Sequence, residues 1–165
     1  MNFIQYCTIS GSMVWNLPYG MDESHPDCVE LKLAITEKIW NLYNSGISCF
    51  FCNCEYGLPL WAAEAIVGMR LLKRRSAKIN LIIPHENQAA VWSNEVRERY
   101  YNINAAADSV VILSTKYKED CYRKADEFMI DHSIMLLTDG GNEYISEYAK
   151  SKNKDIEPIK MLINR

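Results

Sequence analysis

The chain has 165 residues, 48% of them hydrophobic and 24% charged, and a formal net charge of −3. That length suits one domain with a real core, expected over residues 1–165, and excludes two full-sized ones. The slightly acidic balance disfavours a broad electrostatic grip on nucleic acid. No stretch approaches the roughly 20 apolar residues of a membrane span.

The N-terminal run Met1-Asn2-Phe3-Ile4-Gln5 lacks the charged region and cleavage site of a signal peptide. Without such a signal, the six cysteines read as reduced thiols, and the expected compartment is the cytoplasm.

In chain order, residues 4–9 read as a first strand ending at Ser10-Gly11-Ser12. A loop marked by Pro18, Gly20 and Pro26 leads to Asp27, the expected N-cap of a helix over 28–44. Leu31, Ile35, Ile39 and Leu42 recur there at helical spacing. Ser45-Gly46 ends the helix, and 47–52 is a short apolar strand. A helix begins near Pro59, where a missing N–H is harmless. It is expected to bury Trp61, Ala65, Ile66, Met69 and Leu72, and to close with Lys73-Arg74-Arg75. With Arg70 these form the strongest basic cluster of the chain, read as a solvated cap at the negative end of the helix dipole.

The third strand spans 78–83 before Pro84. A helix over 86–104 would align Trp92, Val96, Tyr100 and Ile103. Then come a strand at 108–113, a helix at 120–131, a strand at 133–137 and a helix at 142–152. A sixth strand at 156–162 would be confined by Pro158 to an edge or to its first position. No internal repeat, low-complexity segment or linker interrupts this alternation.

Continuously apolar strands alternating with helices predict an α/β fold: a single Rossmann-like three-layer domain. Its mostly parallel sheet of five to six strands would carry helices on both faces. Ligands of such sheets sit outside the carboxyl ends of the strands, at the switch point. Three loops should converge there, at 10–12, 53–59 and 138–142.

A strand that stops at a glycine turn aims the next helix's free N–H groups at that edge. Each such helix end favours a negative charge by about 0.3–2 kcal/mol, so two of them point to a nucleotide-like ligand. Around the first loop, Asn53, Glu55 and Gly57 offer polar groups and close backbone approach, while Tyr56 or Trp61 could stack on a ring. The plain alternative is a tight turn with Trp61 in the core and Glu64 on the surface. In the second, Asp139, Gly140, Gly141 and Asn142 could hold phosphate through backbone N–H groups, although Asp-Gly and Gly-Gly are also ordinary turn formers. Gly11 and Ser12 would complete the pocket from the first strand. Neither the dinucleotide nor the phosphate-loop fingerprint occurs.

Cys49, Cys52 and Cys54 invite a metal reading, which is rejected. On a strand, Cys49 and Cys52 point to opposite faces, and His25, His85 and His132 lie in unrelated segments. Arg97 or Arg99 could contact phosphate in a bidentate way, or pair on the surface with Glu95 or Glu98. No Ser–His–Asp or Cys–His spacing stands out.

Several segments together resemble the YpsA-like (YspA/YoqJ-type) branch of the SLOG superfamily, which also includes DprA and the LOG phosphoribohydrolases. They are Thr8-Ile9-Ser10-Gly11, Leu17-Pro18-Tyr19-Gly20, Gly57 with Trp61-Ala62-Ala63-Glu64, and Gln88 with Trp92 leading to Arg99-Tyr100. Ala107-Asp108 with Ser114 and Tyr117, then Asp139-Gly140-Gly141 leading to Glu147-Tyr148-Ala149, complete the order. The resemblance implies a Rossmann-like fold and a pocket suited to nucleotides or their derivatives.

The chain departs from the family where ligand would bind. Gly11-Ser12-Met13 stands for the family's Gly-His-Arg, and the stretch from Asn53 to Pro59 lacks the first glycine and the aspartate of G-x-A-x-G-x-D. Gly140-Gly141-Asn142-Glu143 lacks the threonine of the late signature. The scaffold is kept while the pocket has diverged. For LOG-type cleavage of a nucleoside monophosphate, Arg97 or Arg99 and Glu147 would be the stand-ins for arginine and glutamate.

The leading expectation is therefore a cytosolic binding or sensor module for a nucleotide-derived small molecule, without a resident cofactor. A nucleoside-monophosphate N-glycosidase and a ligand-free protein-interaction scaffold are the alternatives. A homodimer is expected only as a prior for helices flanking such a sheet, and single-stranded DNA is the last choice.

Overall fold

The computed structural model describes residues 4–72 and 76–160. The basic run Lys73-Arg74-Arg75, the first residues Met1-Asn2-Phe3 and the end of the expected sixth strand lie outside them. The strands are β1 (Tyr6–Ser10), β2 (Cys49–Cys52), β3 (Lys78–Ile83), β4 (Ser109–Ile112), β5 (Met135–Thr138) and β6 (Asp155–Pro158). They form one six-stranded sheet, ordered β4-β3-β2-β1-β5-β6, with every pair parallel. The helices are α1 (Pro26–Asn44), α2 (Leu58–Leu71), α3 (Asn94–Ala106), α4 (Cys121–Asp131) and α5 (Glu143–Ser151). The three-layer α/β fold expected from the alternation is the one found.

Parallel strands need crossovers, and the crossover helices bury both faces of the sheet. The alternation of side chains divides the core accordingly. Phe50, Cys52, Ile79, Leu81 and Leu137 pack with α1, α2 and α3, whereas Phe51, Ile82 and Leu136 pack with α4 and α5. Each fully buried Phe or Ile contributes about 1.5–3 kcal/mol from its removal from water.

Several local expectations need correction. α1 starts at Pro26, not after Asp27, because the His25 ring Nδ1 accepts the Asp27 N–H at 3.1 Å and makes His25 the N-cap. α3 starts only at Asn94, because the Ser93 hydroxyl accepts the Val96 N–H at 3.4 Å; residues 86–92 form turns instead. Leu72 lies past the end of α2 and is 68% exposed, and Ala65 is only partly buried. Arg70 is no solvated cap. Its guanidinium pairs with Asp108 and donates to the carbonyls of Ala77 at 3.1 Å and Ala106 at 2.7 Å, tying α2 to the starts of β3 and β4.

From β1 the chain steps one way through β2, β3 and β4, and β5 and β6 are added on the other side. The switch point therefore falls between the carboxyl ends of β1 and β5. Phe50 is fully buried at the middle of this sheet. Phe50→Ala should lower the unfolding free energy by about 3–5 kcal/mol, measured by urea denaturation with the m-value unchanged.

Candidate functional site

The three loops meet at the switch point and are stitched to one another. The Leu58 N–H donates to the Ser12 carbonyl at 2.9 Å, the Val14 N–H donates to the Tyr56 carbonyl at 3.1 Å, and Met13 bridges Gly57. The β2–α2 loop bends through Cys54 at φ 60° and Gly57 at φ 147°. A Cβ at Gly57 would also run into the Ser12 carbonyl, so this glycine serves loop-to-loop contact.

Asp139 decides what the glycine loops can offer. Its Oδ1 accepts the Ser12 N–H at 3.0 Å and the Gly141 N–H at 2.9 Å. The Gly140 N–H goes to the Thr138 hydroxyl at 3.1 Å. Backbone donors expected to face a phosphate are thus taken by the protein's own oxygens. Asn142 caps α5 by accepting the Ile145 N–H at 3.1 Å, and its Nδ2 donates to Ser10 Oγ at 3.2 Å and Asp126 Oδ2 at 3.1 Å.

Two cavities open beside this junction. The larger, about 620 Å³, is walled by Gly11, Glu55, Gly141 and Asn142, with Trp15, Tyr122, Arg123 and Asp126. The second, about 560 Å³, is lined by Trp15, Tyr56, His85, Gln88, Trp92, Tyr117 and Tyr122 among others. Trp15 and Tyr122 border both. Rings crowd the second cavity, with His85 centred 5.6 Å from Tyr117 and 5.8 Å from Tyr122, and Tyr56 5.9 Å from Trp92.

Of the residues singled out in the sequence, Gly11, Glu55, Gly141 and Asn142 line the larger cavity and Tyr56 the smaller. Ser12, Asn53, Gly57, Asp139 and Gly140 build the junction behind them. Trp61 is packed in the core at 3% exposure, with the Lys32 ammonium 5.2 Å from its ring, and borders neither cavity. Glu147, 74% exposed at its side chain, pairs with Lys150 at 3.5 Å and lies outside both cavities, as does Arg97.

Arg99 is not paired with Glu95 or Glu98. It forks onto Glu23, at 2.7 and 2.9 Å, and onto Glu64, at 3.1 and 2.7 Å. Glu23 also accepts from Lys32 at 2.6 Å and from the Tyr56 hydroxyl at 3.1 Å. Burial opposes ionisation of Glu23, but the hydrogen bonds from Arg99 and Lys32 outweigh it and hold the carboxyl at about 2.

Sequence reasoning missed Trp15, Tyr122, Arg123 and Asp126. One signal was available: Asp126 sits among Cys121, Ala125, Met129 and Ile130 on the apolar face of α4, where an acid is out of place.

The larger cavity holds two acids with displaced protonation. Burial, then the nearby Asp126 charge, pushes Glu55 up to about 8, although Asn53 Nδ2 donates to its Oε1 at 2.9 Å. Burial pushes Asp126 up to about 7 against the Asn142 hydrogen bond. Burial lowers the His85 imidazole in the other cavity, and its Nδ1 has no hydrogen-bond partner among the described residues. All six cysteines are buried thiols, and among the described residues no cluster of three or more His, Cys, Asp or Glu could hold a metal. No helix among them is long and apolar enough to cross a membrane.

The sequence profile of the YspA SLOG family matches residues 8–162. The chain belongs to that family. Membership puts it on a nucleotide-related fold, as the resemblance implied. The UPF0398 protein SaurJH9_1506 of Staphylococcus aureus (strain JH9) is 29% identical over 131 residues, covering 78% of this chain and 69% of that protein. The UPF0398 protein SAOUHSC_01463 of Staphylococcus aureus (strain NCTC 8325 / PS 47) matches equally, at 29% with the same 78% and 69% coverage. Among solved structures, the X-ray structure of TM1055 superposes with a TM-score of 0.58, covering 92% of this chain and 72% of that one. At 12% identity it shows a shared fold alone.

Two measurements check the electrostatics. Glu55 and Asp126 hold their protons at pH values where the unfolded carboxyls, with pKa near about 4, have lost theirs. Stability should therefore fall as pH rises from about 4 towards 8, because the folded state binds more protons in that window. Glu55→Gln should flatten the fall between pH 5 and pH 8.5 in urea titrations; an unchanged slope would contradict the assignment. Glu23 has the opposite sign: its contribution is present above about pH 4.5 and is lost towards pH 2. Arg99→Ala should cost about 2 kcal/mol at neutral pH and less at pH 2.

Proposed function

We propose that this protein is a binding or sensor module for a nucleotide-derived small molecule seated at the switch point. The observation that carries the reading is the meeting of two cavities at Trp15 and Tyr122, one polar and one walled by rings. Each has the volume of an ordinary small-molecule site. A base stacked among Trp15, Tyr56, Trp92 and Tyr117 gains about 1–3 kcal/mol from such contacts. The remainder of the ligand extends into the polar cavity. There Arg123, held 4.9 Å over the Tyr144 ring, supplies a cation at the wall.

Binding is favoured over N-glycosidic cleavage for a specific reason. Arg97, Arg99 and Glu147, the groups that such cleavage would borrow by resemblance, line neither cavity. Arg99 is already committed to Glu23 and Glu64.

Thermal unfolding against adenosine and guanosine phosphates, ADP-ribose, NAD and cyclic dinucleotides tests the reading. A ligand at 100 times its Kd adds about 2.7 kcal/mol, a shift of several degrees. Trp15 is 63% exposed, so Trp15→Ala should leave the unliganded Tm unchanged while weakening binding at least about fivefold. A flat response across the panel would reject the proposal.

A further inference from the structure

The larger cavity contains a buried polar atom that the protein leaves unmatched. Asp126 is 5% exposed, and while its Oδ2 accepts from Asn142, its Oδ1 has no hydrogen-bond partner among the described residues. An unmatched buried acceptor costs about 1–3 kcal/mol, so a ligand that donates to it is favoured by that desolvation already spent. Glu55 lines the same cavity, held in place by Asn53 at 2.9 Å.

The complement to Asp126 Oδ1 is a hydrogen-bond donor, and the complement to Glu55, which keeps its proton at neutral pH, is a group that can also accept. A phosphate at neutral pH offers acceptors and leaves Asp126 Oδ1 unmatched, whereas a hydroxyl both donates and accepts. The Ser12 and Gly141 N–H groups at the junction are already occupied by Asp139. A pair of neighbouring hydroxyls fits instead. Tyr122 and Asp126 stand one turn apart on α4, about 5–6 Å between Cβ atoms, a span comparable with that from the base of a ribonucleoside to its diol.

Resting on the nucleotide reading above, we infer that the larger cavity seats the ligand's ribose, with one of its 2′- and 3′-hydroxyls donating to Asp126 Oδ1 and the other hydrogen-bonded to the Glu55 carboxyl. The ligand's recognised end is then a ribonucleoside, and any phosphate lies away from Asp126. This assigns to Asp126 and Glu55 a direct binding role and to the site a preference for ribose over deoxyribose.

Calorimetric titration of the full chain tests this with the four common ribonucleosides, their 2′,3′-dideoxy counterparts and the 5′-monophosphates. At least one ribonucleoside should bind, and its dideoxy counterpart should bind about tenfold more weakly or worse. Asp126→Asn and Glu55→Ala should each shrink that ratio. Equal binding of ribo- and dideoxynucleosides would overturn the diol assignment and leave the nucleotide reading standing. Binding of monophosphates without any ribonucleoside would do the same. No binding by any of these compounds would overturn the diol assignment and leave the nucleotide reading to be decided by the thermal-unfolding panel.

Discussion

The carboxylate of Asp139 joins the two halves of the molecule at the point where the sheet changes direction. Through one oxygen it accepts N–H groups from Ser12, after β1, and from Gly141, after β5. A charge-assisted bond to backbone N–H groups is among the stronger hydrogen bonds available to a protein. The close approach of these loops leaves no room for a Cβ at Gly11 or Gly141. The cavities beside the junction owe their position to this contact, since it sets the distance between the β1 loop and the start of α5. The same contact consumes the donors that make glycine loops attractive to phosphate. Here these donors serve as an internal strut.

The remaining charges divide into two groups with opposite behaviour. On the α1–α3 side, Glu23 is enclosed by Arg99, Lys32 and Tyr56, and the cluster fastens the loop at 17–25 to α2 and α3. Its partners more than offset the loss of water, so the acid stays ionised. At the switch point, Glu55 and Asp126 form no salt bridge with a cation among the described residues, and burial wins. One cluster is closed and structural. The other borders a cavity, with Asp126 Oδ1 unmatched among the described residues.

Much of the fold was legible in the chain. Short apolar strands alternating with helices left few topologies open, and Pro158 marked the edge position that β6 occupies. The errors fell at helix starts, where one side chain decides: His25 rather than Asp27 caps α1, and Ser93 delays α3 by several residues. Part of the site was legible too. Gly11, Glu55, Gly141 and Asn142 were named from loop position alone, and all four line the larger cavity. For Trp61 both stacking and core are open in the sequence, because an aromatic beside a glycine loop can serve either, and local pattern does not separate the two; the structure puts it in the core. Arg99 was offered Glu95 and Glu98, neighbours in sequence, whereas its partners come from 76 and 35 positions away.

The sequence by itself determined the layer architecture, the parallel sheet and the edge at which the loops gather, because these follow from periodicity and chain order. Family membership was readable for the same reason, from short segments in a fixed succession. Tertiary structure alone decided which polar groups face a cavity and which face each other. Asp139 turned inward to the loop N–H groups, Arg99 closed on Glu23 and Glu64, and Asp126 was left with a free oxygen beside Glu55. Those outcomes depend on distances between residues far apart in the chain, and a hydrogen bond is decided within a few tenths of an ångström.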